Sequence, residues 1–369
     1  MRVSLAHHWL VGMRGGEKVL EEFCILFPGA PIYTLVCCRE KLSERLREHP
    51  ITESSLGWFT GARHLYKHAL PIFPWLIRAL KVKGKPQFVL SSDASLIKGL
   101  RIPEGVPHVC YCHSPPRYLW DQQGSYEKSA GVGLFKRAVL RWITPSLQRW
   151  DRAAAQRVDY FIANSEFVRQ RILHAYGKDA RVIHPPVAVD DFQPVAEVRD
   201  FYLIVSQLVP YKRVDIAVEA FNKSGKRLVV IGEGSELANL KAMARSNVEL
   251  LGSQPFPVLR EHYARCRGFV FPGVEDFGIT PLEAQASGRP VIALRAGGAL
   301  ETIIEGETGL FFDEQNADSL MDAVERFEQT DWQSKLCRQN ALRFGPARFR
   351  REISEFLTSH GLPGGETVT

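Results

Sequence analysis

The stretch Phe271-Pro-Gly-Val-Glu-Asp-Phe-Gly-Ile-Thr-Pro-Leu-Glu283 joins a short apolar run to a helix start. Residues 268–271 have the length and apolar character of a strand inside a sheet, and a Pro-Gly pair ends the run. Thr280 is a favoured N-cap residue and Glu283 follows three positions later, which predicts that the helix begins here. A buried strand that passes through a loop into a helix is the repeating unit of an α/β fold.

The same loop carries groups that suit a sugar attached to a phosphate. The N–H groups of Gly278, Ile279 and Thr280 point out of the predicted helix N-terminus, where partial positive charge favours a diphosphate. Glu275 and Glu283 offer carboxylates, which accept paired hydrogen bonds from the vicinal hydroxyls of a sugar or a ribose. Two other interpretations stay open: a capping box in which Glu283 only ties down its own helix, and a solvated loop carboxylate at Glu275.

Apolar runs and helix-like patterns alternate in both directions from this stretch, which predicts an α/β architecture with parallel sheets. A chain of 369 residues is long enough for two domains, and the proline- and acid-rich segment near residues 184–200 is typical of a linker. We therefore expect one domain over residues 1–186, a second over 187–345, a helix over 346–360 that packs back on the first domain, and a flexible tail over 361–369. The expected strands lie at residues 1–6, 32–36, 88–90, 109–112, 160–163, 201–205, 227–231, 248–251, 268–271 and 291–293.

Charge is distributed unevenly along the chain. Residues 1–195 contain 27 Lys and Arg against 17 Asp and Glu, whereas the remainder contains 20 against 24. Residues 54–92 hold cations and aromatic side chains but no acid, and residues 133–142 have a similar composition. This pattern predicts binding to an anionic membrane surface, and a solvated basic helix whose aromatic side chains pack inward remains an alternative. The residues concerned in the first stretch are Trp58, Phe59, Arg63, Tyr66, Lys67, Phe73, Trp75, Arg78, Lys81, Lys83 and Lys85.

Several classes of protein are disfavoured by the sequence. No segment has the length and apolarity of a membrane span, and the first eight residues are too short and too polar for a signal peptide. We therefore expect a cytoplasmic protein, peripheral on the inner face of the cell membrane. The seven cysteines form no Cys-x-x-Cys pair, which indicates neither a disulfide framework nor a zinc site. Nothing resembles a module that reads nucleic-acid bases, so we expect no nucleic-acid partner.

Glycine turns follow two other predicted strands. Gly15 and Gly16 lie between the first strand and a helical pattern, and Gly232 and Gly234 follow the strand at 227–231. A tight strand-to-helix turn and a loop that lets a phosphate approach the backbone explain them equally well. The fingerprint of a dinucleotide cofactor is incomplete at Gly232, because its third glycine and its ribose-binding acid are missing.

Several motifs together resemble those of the retaining nucleotide-sugar glycosyltransferases of family 4. They are Glu275-x7-Glu283 with its inner Phe-Gly, Gly288-Arg-Pro290, and Gly297-Gly298 with Glu301. The resemblance spans nearly the whole chain and implies the GT-B fold, an α/β fold in which two Rossmann-like domains face each other across a cleft. It also implies that the C-terminal domain binds the nucleotide-sugar donor and that the N-terminal domain binds the acceptor.

The segment Ser206-Gln-Leu-Val-Pro-Tyr-Lys-Arg-Val-Asp215 is similar to the family pattern Gly-Arg-Leu-x3-Lys-Gly-x-Asp. In that pattern the arginine and the lysine neutralise the diphosphate as the glycosyl bond breaks, because the leaving group gains negative charge. Lys212 matches the lysine, whereas Gln207 stands at the arginine position and carries no charge. The resemblance therefore implies either a weaker clamp on the diphosphate or one in which Arg213 supplies the missing charge.

The run from Cys112 to Asp121 looks like that of bacterial mannosyltransferases that act on O-antigen-type or exopolysaccharide precursors. This resemblance implies that His113 contacts the transferred sugar, although a lone histidine is more often structural. It also implies that Glu275 orients the sugar and that Glu283 binds the ribose.

The reaction implied by this resemblance is transfer of a hexose with retention at its anomeric carbon. We expect a GDP- or UDP-linked donor, with mannose from GDP-mannose favoured, and a lipid-linked or growing glycan as acceptor. The glycine loops at Gly15, Gly16 and Gly232 are expected to approach the donor. No cofactor is expected, and no metal either, because backbone amides and Lys212 supply positive potential and the chain contains no Asp-x-Asp. A GT-B epimerase, a GT-B phosphorylase and a non-catalytic sugar-nucleotide-binding protein stay open as alternatives.

Overall fold

The computed structural model describes residues 2–58, 71–120 and 134–365. The chain divides into two compact units, which we call unit 1 (Met1–Pro186 with Pro346–Thr369) and unit 2 (Val187–Gly345). Each unit contains a parallel sheet with helices and has hydrophobic clusters of its own. No helix within the described ranges is both long and apolar enough to cross a membrane.

The described sheet of unit 1 has seven parallel strands: β1 (Val3–His7), β2 (Ile32–Thr34), β3 (Ile51–Glu53), β4 (Phe88–Asp93), β5 (His108–Cys112), β6 (Tyr160–Ala163) and β7 (Ala180–Val182). Their order is β3-β2-β1-β4-β5-β6-β7, so the direction in which strands are added reverses between β1 and β4. The central strands β1, β4 and β5 are buried along their whole length, as expected of a parallel sheet covered on both faces.

Helices of unit 1 connect and cover these strands. Up to residue 186 the described ones are α1 (Gly15–Leu26), α2 (Glu44–Glu48), α3 (Phe73–Ala79), α4 (Arg117–Trp120), α5 (Leu134–Gln156) and α6 (Glu166–Tyr176). Helix α1 buries Val19, Leu20, Phe23 and Leu26, whose spacing of three and four residues forms one apolar face. That face packs into the same core cluster as Leu5 of β1, so the start of α1 is held close to the end of β1.

The described sheet of unit 2 has six parallel strands: β8 (Tyr202–Val205), β9 (Leu228–Ile231), β10 (Val248–Gly252), β11 (Gly268–Phe271), β12 (Val291–Leu294) and β13 (Gly309–Phe312). Their order is β10-β9-β8-β11-β12-β13, the strand order of a Rossmann sheet, with the reversal between β8 and β11. The described helices are α7 (Val214–Ser224), α8 (Leu237–Met243), α9 (Phe256–Arg265), α10 (Ile279–Ala286), α11 (Ala299–Thr302), α12 (Ala317–Glu328) and α13 (Ser334–Leu342).

The last helix, α14 (Pro346–Ser359), belongs to unit 1 although it follows unit 2 in the chain. Phe349, Ile353 and Leu357 recur every four residues, are fully buried and join the core cluster of unit 1. The ring of Phe349 lies 5.8 Å from that of Phe23 on α1, measured between centroids. An apolar stripe on one side of α14 therefore explains why the chain returns to unit 1.

The fold class expected from the sequence is confirmed, because both units are parallel α/β sheets. Every expected strand is present to within a few residues. Strands β3, β7 and β13 were not predicted from the sequence, and each lies at an edge of its sheet. Strands β3 and β7 have only three residues and include half-buried or exposed positions, so neither produces an apolar run.

Candidate functional site

Sheet topology places the loop after β11 beside the loop after β8. These two strands are hydrogen-bonded neighbours in unit 2, and the strand order reverses between them. Open α/β sheets bind ligands at such a reversal, at the carboxyl ends of the strands. The loop after β8 carries Gln207 and Lys212, and the loop after β11 carries Glu275 and Gly278. The structure therefore brings together two motifs that are far apart in the sequence.

Lys212 and Glu275 form an ion pair across these two loops. Their side chains are 13% and 22% exposed, so the contact is largely shielded from water. The backbone N–H of Gly298 donates to the carbonyl oxygen of Glu275 at 2.9 Å, which holds the loop in place. An ammonium group has three N–H donors, so Lys212 is able to bind a phosphate oxygen while it contacts the carboxylate. The pair can thus hold an anion and a hydroxyl group at the same edge of the sheet.

Helix α10 begins at Ile279, earlier than predicted. Gly278 is the N-cap, and its left-handed backbone, with φ of 95°, turns the chain into the helix before Thr280 is reached. The predicted N-cap at Thr280 is therefore wrong. The alternative in which Thr280 and Glu283 form a capping box is wrong as well, because the N-cap is Gly278. A capping hydroxyl comes from a non-helical residue that precedes the helix, whereas Thr280 is itself helical. The first-turn N–H groups of Ile279 and Thr280 have no acceptor within the helix and suit an anion.

Glu283 lies inside α10 and is only 9% exposed. Its carboxylate accepts a hydrogen bond of 2.9 Å from the hydroxyl of Tyr263, a fully buried residue of α9. Burial raises the pKa of Tyr263 well above its usual value, and the adjacent carboxylate raises it further. Tyr263 therefore remains a hydrogen-bond donor and orients Glu283. Tyr263 was not predicted from the sequence, because its place in α9 looks like that of any core aromatic residue.

Gln207 and Arg213 flank Lys212 in different ways. The side chain of Gln207 is exposed just beyond the end of β8. The guanidinium of Arg213 donates to Asp215 at 3.1 Å and to Gln315 at 3.4 Å. In this structure the charge of Arg213 is therefore paired with a carboxylate of α7, whereas the charge of Lys212 is paired with Glu275.

The glycine turn after β9 packs directly against the loop after β8. A Cβ atom on Gly232 would lie 1.8 Å from the carbonyl oxygen of Ser206, and one on Gly234 would lie 2.0 Å from that of Leu208. Only a residue without a side chain permits so close an approach. This packing explains both glycines without a ligand, and it sets the turn beside the loop that leads to Lys212.

In unit 1 the corresponding strand reversal lies between β1 and β4. Gly15 and Gly16 open α1 at this point. His113 follows β5, and its Nε2 atom lies 2.7 Å from the hydroxyl oxygen of Ser92 near the end of β4. A Cβ atom on Gly16 would lie 3.7 Å from Nε2 of His113, so the glycine turn and the histidine meet at one edge of this sheet. Ser92 was not predicted from the sequence, although polar residues at the carboxyl ends of neighbouring strands are a usable signal.

A buried ion cluster supports the same edge of unit 1. Nζ of Lys98 lies 3.2 Å from a carboxylate oxygen of Asp93 and 2.6 Å from one of Asp151, and none of the three side chains is more than 1% exposed. Burial alone lowers the pKa of Lys98, but the two carboxylates raise it well above its usual value. The carbonyl oxygen of Asp93 accepts a hydrogen bond of 2.8 Å from the N–H of His113. The cluster therefore anchors the strand end on which His113 is positioned.

Two family models match this chain. The model for glycosyl transferases group 1 matches residues 190–344, and the model for glycosyltransferase family 4 matches residues 13–191. The chain belongs to the family 4, group 1 glycosyltransferases. The group 1 segment of this glycosyltransferase contains Lys212 and Glu275, and the family 4 segment contains Gly15, Gly16 and His113.

Curated relatives match parts of the glycosyltransferase. A GDP-mannose-dependent alpha-(1-6)-phosphatidylinositol monomannoside mannosyltransferase of Mycolicibacterium smegmatis is 32% identical over 192 residues, which cover 43% of this chain and 50% of the relative. A D-inositol 3-phosphate glycosyltransferase of Mycolicibacterium paratuberculosis is 28% identical over 200 residues, which cover 47% of this chain and 45% of the relative. The chain thus spans about half the length of these curated relatives.

Solved structures resemble the glycosyltransferase over nearly its whole length. Anabaena HepE, solved with UDP and glucose, has a TM-score of 0.69 and 16% identity, and the match covers 97% of this chain and 100% of HepE. Sucrose-phosphate synthase of Thermosynechococcus elongatus has a TM-score of 0.72 and 16% identity, with 98% and 99% covered. At this identity the likeness concerns the fold alone, and it confirms the GT-B class.

Proposed function

We propose that this glycosyltransferase moves a hexose, with retention, from a nucleotide sugar to a hydroxyl group of a lipid-linked or growing glycan. The Lys212–Glu275 ion pair beside the N-terminus of α10, at the strand reversal of unit 2, carries the proposal. It supplies a cation and backbone N–H groups for a diphosphate and a carboxylate for sugar hydroxyls. Similarity to a relative named for GDP-mannose supports mannose as the sugar and guanine as the base.

In the proposed reaction the bond between the anomeric carbon and the diphosphate oxygen breaks, and both electrons stay on the departing oxygen. The acceptor hydroxyl attacks the anomeric carbon from the same face, and its proton passes to the departing phosphate. Negative charge builds on the diphosphate as the bond breaks, where Lys212 and the N–H groups of Ile279 and Thr280 stabilise it. In this reaction Glu275 and His113 orient the sugar. Glu283, which accepts a hydrogen bond from Tyr263, binds the ribose.

A donor panel tests this proposal. Purified protein is mixed with GDP-mannose, UDP-glucose, UDP-galactose, GDP or UDP, and the melting temperature and the release of nucleotide are measured. We expect GDP-mannose to raise the melting temperature most, since a ligand at 100 times its Kd adds about 2.7 kcal/mol to the free energy of unfolding. We also expect labelled mannose to appear in a polyprenyl-linked glycan supplied as acceptor.

Each of the other outcomes indicates a different activity for this protein. A larger rise in melting temperature with a UDP sugar contradicts GDP-mannose as donor. Transfer of the hexose would then be tested separately by the labelled product. An isomer of the donor sugar as product identifies an epimerase, and a sugar phosphate formed only with added phosphate identifies a phosphorylase. Binding without any product indicates either a non-catalytic protein or an enzyme weakened at Gln207. In that case a Gln207→Arg variant that gains turnover would reveal an enzyme weakened by its missing arginine.

The basic stretch of unit 1 supports peripheral binding of the enzyme to an anionic membrane. Trp75 on α3 is 78% exposed and Ile72 just before it is 50% exposed, whereas Phe73 is buried in the core. Lys81, Lys83 and Lys85, which follow this helix, have exposed side chains. Exposed aromatic and aliphatic groups beside cations suit the interface of a negatively charged membrane. The structure does not describe Phe59, Arg63, Tyr66, Lys67, Gly133 or Asp121, nor the side chains of Trp58 and residues 134–141.

Replacing Lys81, Lys83 and Lys85 together with Gln is expected to weaken binding to anionic vesicles. Each lysine near such a surface contributes about 1 kcal/mol, so the partition coefficient should fall by about two orders of magnitude. Flotation with phosphatidylglycerol vesicles measures this change, with phosphatidylcholine vesicles as the neutral comparison. A matched control replaces the exposed Arg39, Lys41 and Arg47 of the same unit. Equal binding by both variants and the wild type would show that the membrane does not contact this patch.

A further inference from the structure

Three side chains form a hydrogen-bonded chain at the strand reversal of unit 1. Nδ1 of His7, the last residue of β1, lies 3.0 Å from Oγ of Ser92 on β4. The same Oγ lies 2.7 Å from Nε2 of His113, which follows β5. Parallel pairing sets this arrangement, because His7 is in register with Ser92 and the N–H of His113 donates to the next β4 residue, Asp93, at 2.8 Å. The chain of contacts is therefore built into the sheet.

His7 is a neutral imidazole, so it carries one ring proton, on either Nδ1 or Nε2. It is fully buried, and burial lowers its pKa well below the usual value, with further lowering by His8 and His113. Its Nε2 atom is buried and has no hydrogen-bond partner among the residues that the structure describes. The backbone of Gly16 covers this side of the ring, since a Cβ atom there would lie 3.3 Å from Cε1 and 3.7 Å from Nε2 of His7.

The missing partner at Nε2 decides where the proton of His7 lies. A proton on Nε2 would be a buried N–H donor without an acceptor, which is the costlier kind of unmade hydrogen bond. A proton on Nδ1 instead donates to Oγ of Ser92. The Ser92 hydroxyl accepts that bond and is then free to direct its own hydrogen at only one neighbour, Nε2 of His113. A neutral His113 that accepts at Nε2 carries its proton on Nδ1.

We propose that His7 and Ser92 are positioning residues that hold His113 in the tautomer protonated on Nδ1, so that His113 presents an N–H donor to an oxygen of the transferred sugar. The inference rests on the proposed role of His113 as a sugar contact. It gives the buried residues His7 and Ser92 a role in positioning His113, beyond packing in the sheet. The orientation of one hydroxyl thereby decides whether the histidine donates or accepts toward its ligand.

Nitrogen NMR of the full-length protein labelled with 15N-histidine tests this assignment directly. In a neutral imidazole the protonated and unprotonated nitrogens have well separated shifts, and loss of signals in a His113→Gln variant identifies those of His113. We expect the wild type to show the proton of His113 on Nδ1. We expect Ser92→Ala to show a mixture of both tautomers, because Nε2 has lost its donor. A wild-type proton on Nε2, or an unchanged spectrum in Ser92→Ala, overturns the proposal.

Kinetics with a matched control separate positioning from folding. Ser91→Ala removes an equally buried hydroxyl one residue away, which bonds Nε2 of His108 at 2.8 Å at the start of β5. We expect Ser92→Ala to lower kcat by about three- to tenfold with little change in KM for the donor, and Ser91→Ala to leave kcat unchanged. Equal effects of the two variants overturn the proposal, because they would reflect only the loss of a buried hydrogen bond.

Two variants at His7 examine the first link. In His7→Asn the amide reaches about as far as Nδ1 does and can still donate to Ser92, so we expect the wild-type tautomer of His113. His7→Leu removes the donor and should shift the tautomer as Ser92→Ala does. The proposal is contradicted if His7→Leu keeps the wild-type tautomer of His113 and His7→Asn changes it. The NMR experiment needs no substrate, so a wild type without transferase activity would defeat the proposed function while the spectrum still reports the tautomer.

Discussion

Replacing Lys212 with Ala is expected to lower kcat by about 10²- to 10³-fold with a much smaller change in KM for the donor. Lys212 contacts Glu275 at the strand reversal of unit 2, beside the loop that leads into α10. In the proposed reaction its ammonium meets charge that appears on the diphosphate only as the glycosyl bond breaks. Loss of one such preorganised donor typically costs this much in kcat and little in ground-state binding. Steady-state kinetics with GDP-mannose and a lipid-linked acceptor measure the effect.

Lys226 provides the matched control for this prediction. It is also an ion-paired lysine of unit 2, with its Nζ 2.7 Å from a carboxylate oxygen of Glu328. We expect Lys226→Ala to retain the kcat of the wild type within about twofold, because Lys226 precedes β9, whereas ligands bind at the carboxyl ends of the strands. The fold decrease in kcat of the double variant of Lys212 and Glu275 should be smaller than the product of the two single fold decreases, because the two residues share one contact. A Lys212→Ala enzyme as active as the Lys226→Ala control would rule out the proposed role.

Replacing Lys98 with Met is expected to destabilise the protein by about 3–5 kcal/mol. Lys98 is 1% exposed and lies between the buried carboxylates of Asp93 and Asp151. Asp151 also accepts hydrogen bonds from Trp120 at 2.9 Å and from Tyr176 at 2.8 Å, so its place in the core is fixed. Met keeps the volume but leaves two buried carboxylates without their cation. Urea unfolding followed by circular dichroism and tryptophan fluorescence measures the change.

An exposed arginine gives the comparison for Lys98. Arg169 pairs with Asp179 at 2.7 Å and with Glu166 at 3.0 Å on the surface of unit 1, where water screens the charges. We expect Arg169→Met to leave the urea midpoint almost unchanged. If both variants lowered the midpoint equally, burial of the Lys98 cluster would not be the source of its contribution.

The same cluster predicts a dependence of stability on pH. Burial alone raises the pKa of Asp93, but Lys98, His8 and backbone N–H groups together hold it below its usual value. The ionised carboxylate therefore stabilises the fold above the pKa that Asp93 has when unfolded, and this contribution is lost as the pH falls toward the lower folded value. Without Lys98 the pKa of folded Asp93 is lowered less, so the unfolding free energy of Lys98→Met should fall less on acidification than that of the wild type. A steeper loss in the variant would contradict this assignment.

Local patterns in the sequence were sufficient to predict the fold class. Short apolar runs such as residues 160–163 and 268–271 are strands with the predicted bounds, because strands covered on both faces of a parallel sheet are mostly apolar. The edge strands β3 and β7 were not predicted, because β3 reads Ile-Thr-Glu and β7 reads Ala-Arg-Val, so neither sequence has an apolar run. The start of α10 was also mispredicted, because the backbone conformation of Gly278 decided it and a suitable cap residue at Thr280 did not.

The sequence by itself determined the alternation of strands and helices, the loops that carry Lys212 and Glu275, and the motifs that indicate the family. These features depend on residue type and on the spacing of residues that are close in the sequence, so they can be predicted from local patterns. Only the tertiary structure decided which distant groups meet. It joined Lys212 to Glu275, Tyr263 to Glu283, and His7 to His113 through Ser92. The first two contacts depend on the order of strands, which decides which loops and helices become neighbours. The contact from His7 to Ser92 depends on strand register, because a displacement of one residue reverses the direction of a side chain and breaks the hydrogen bond.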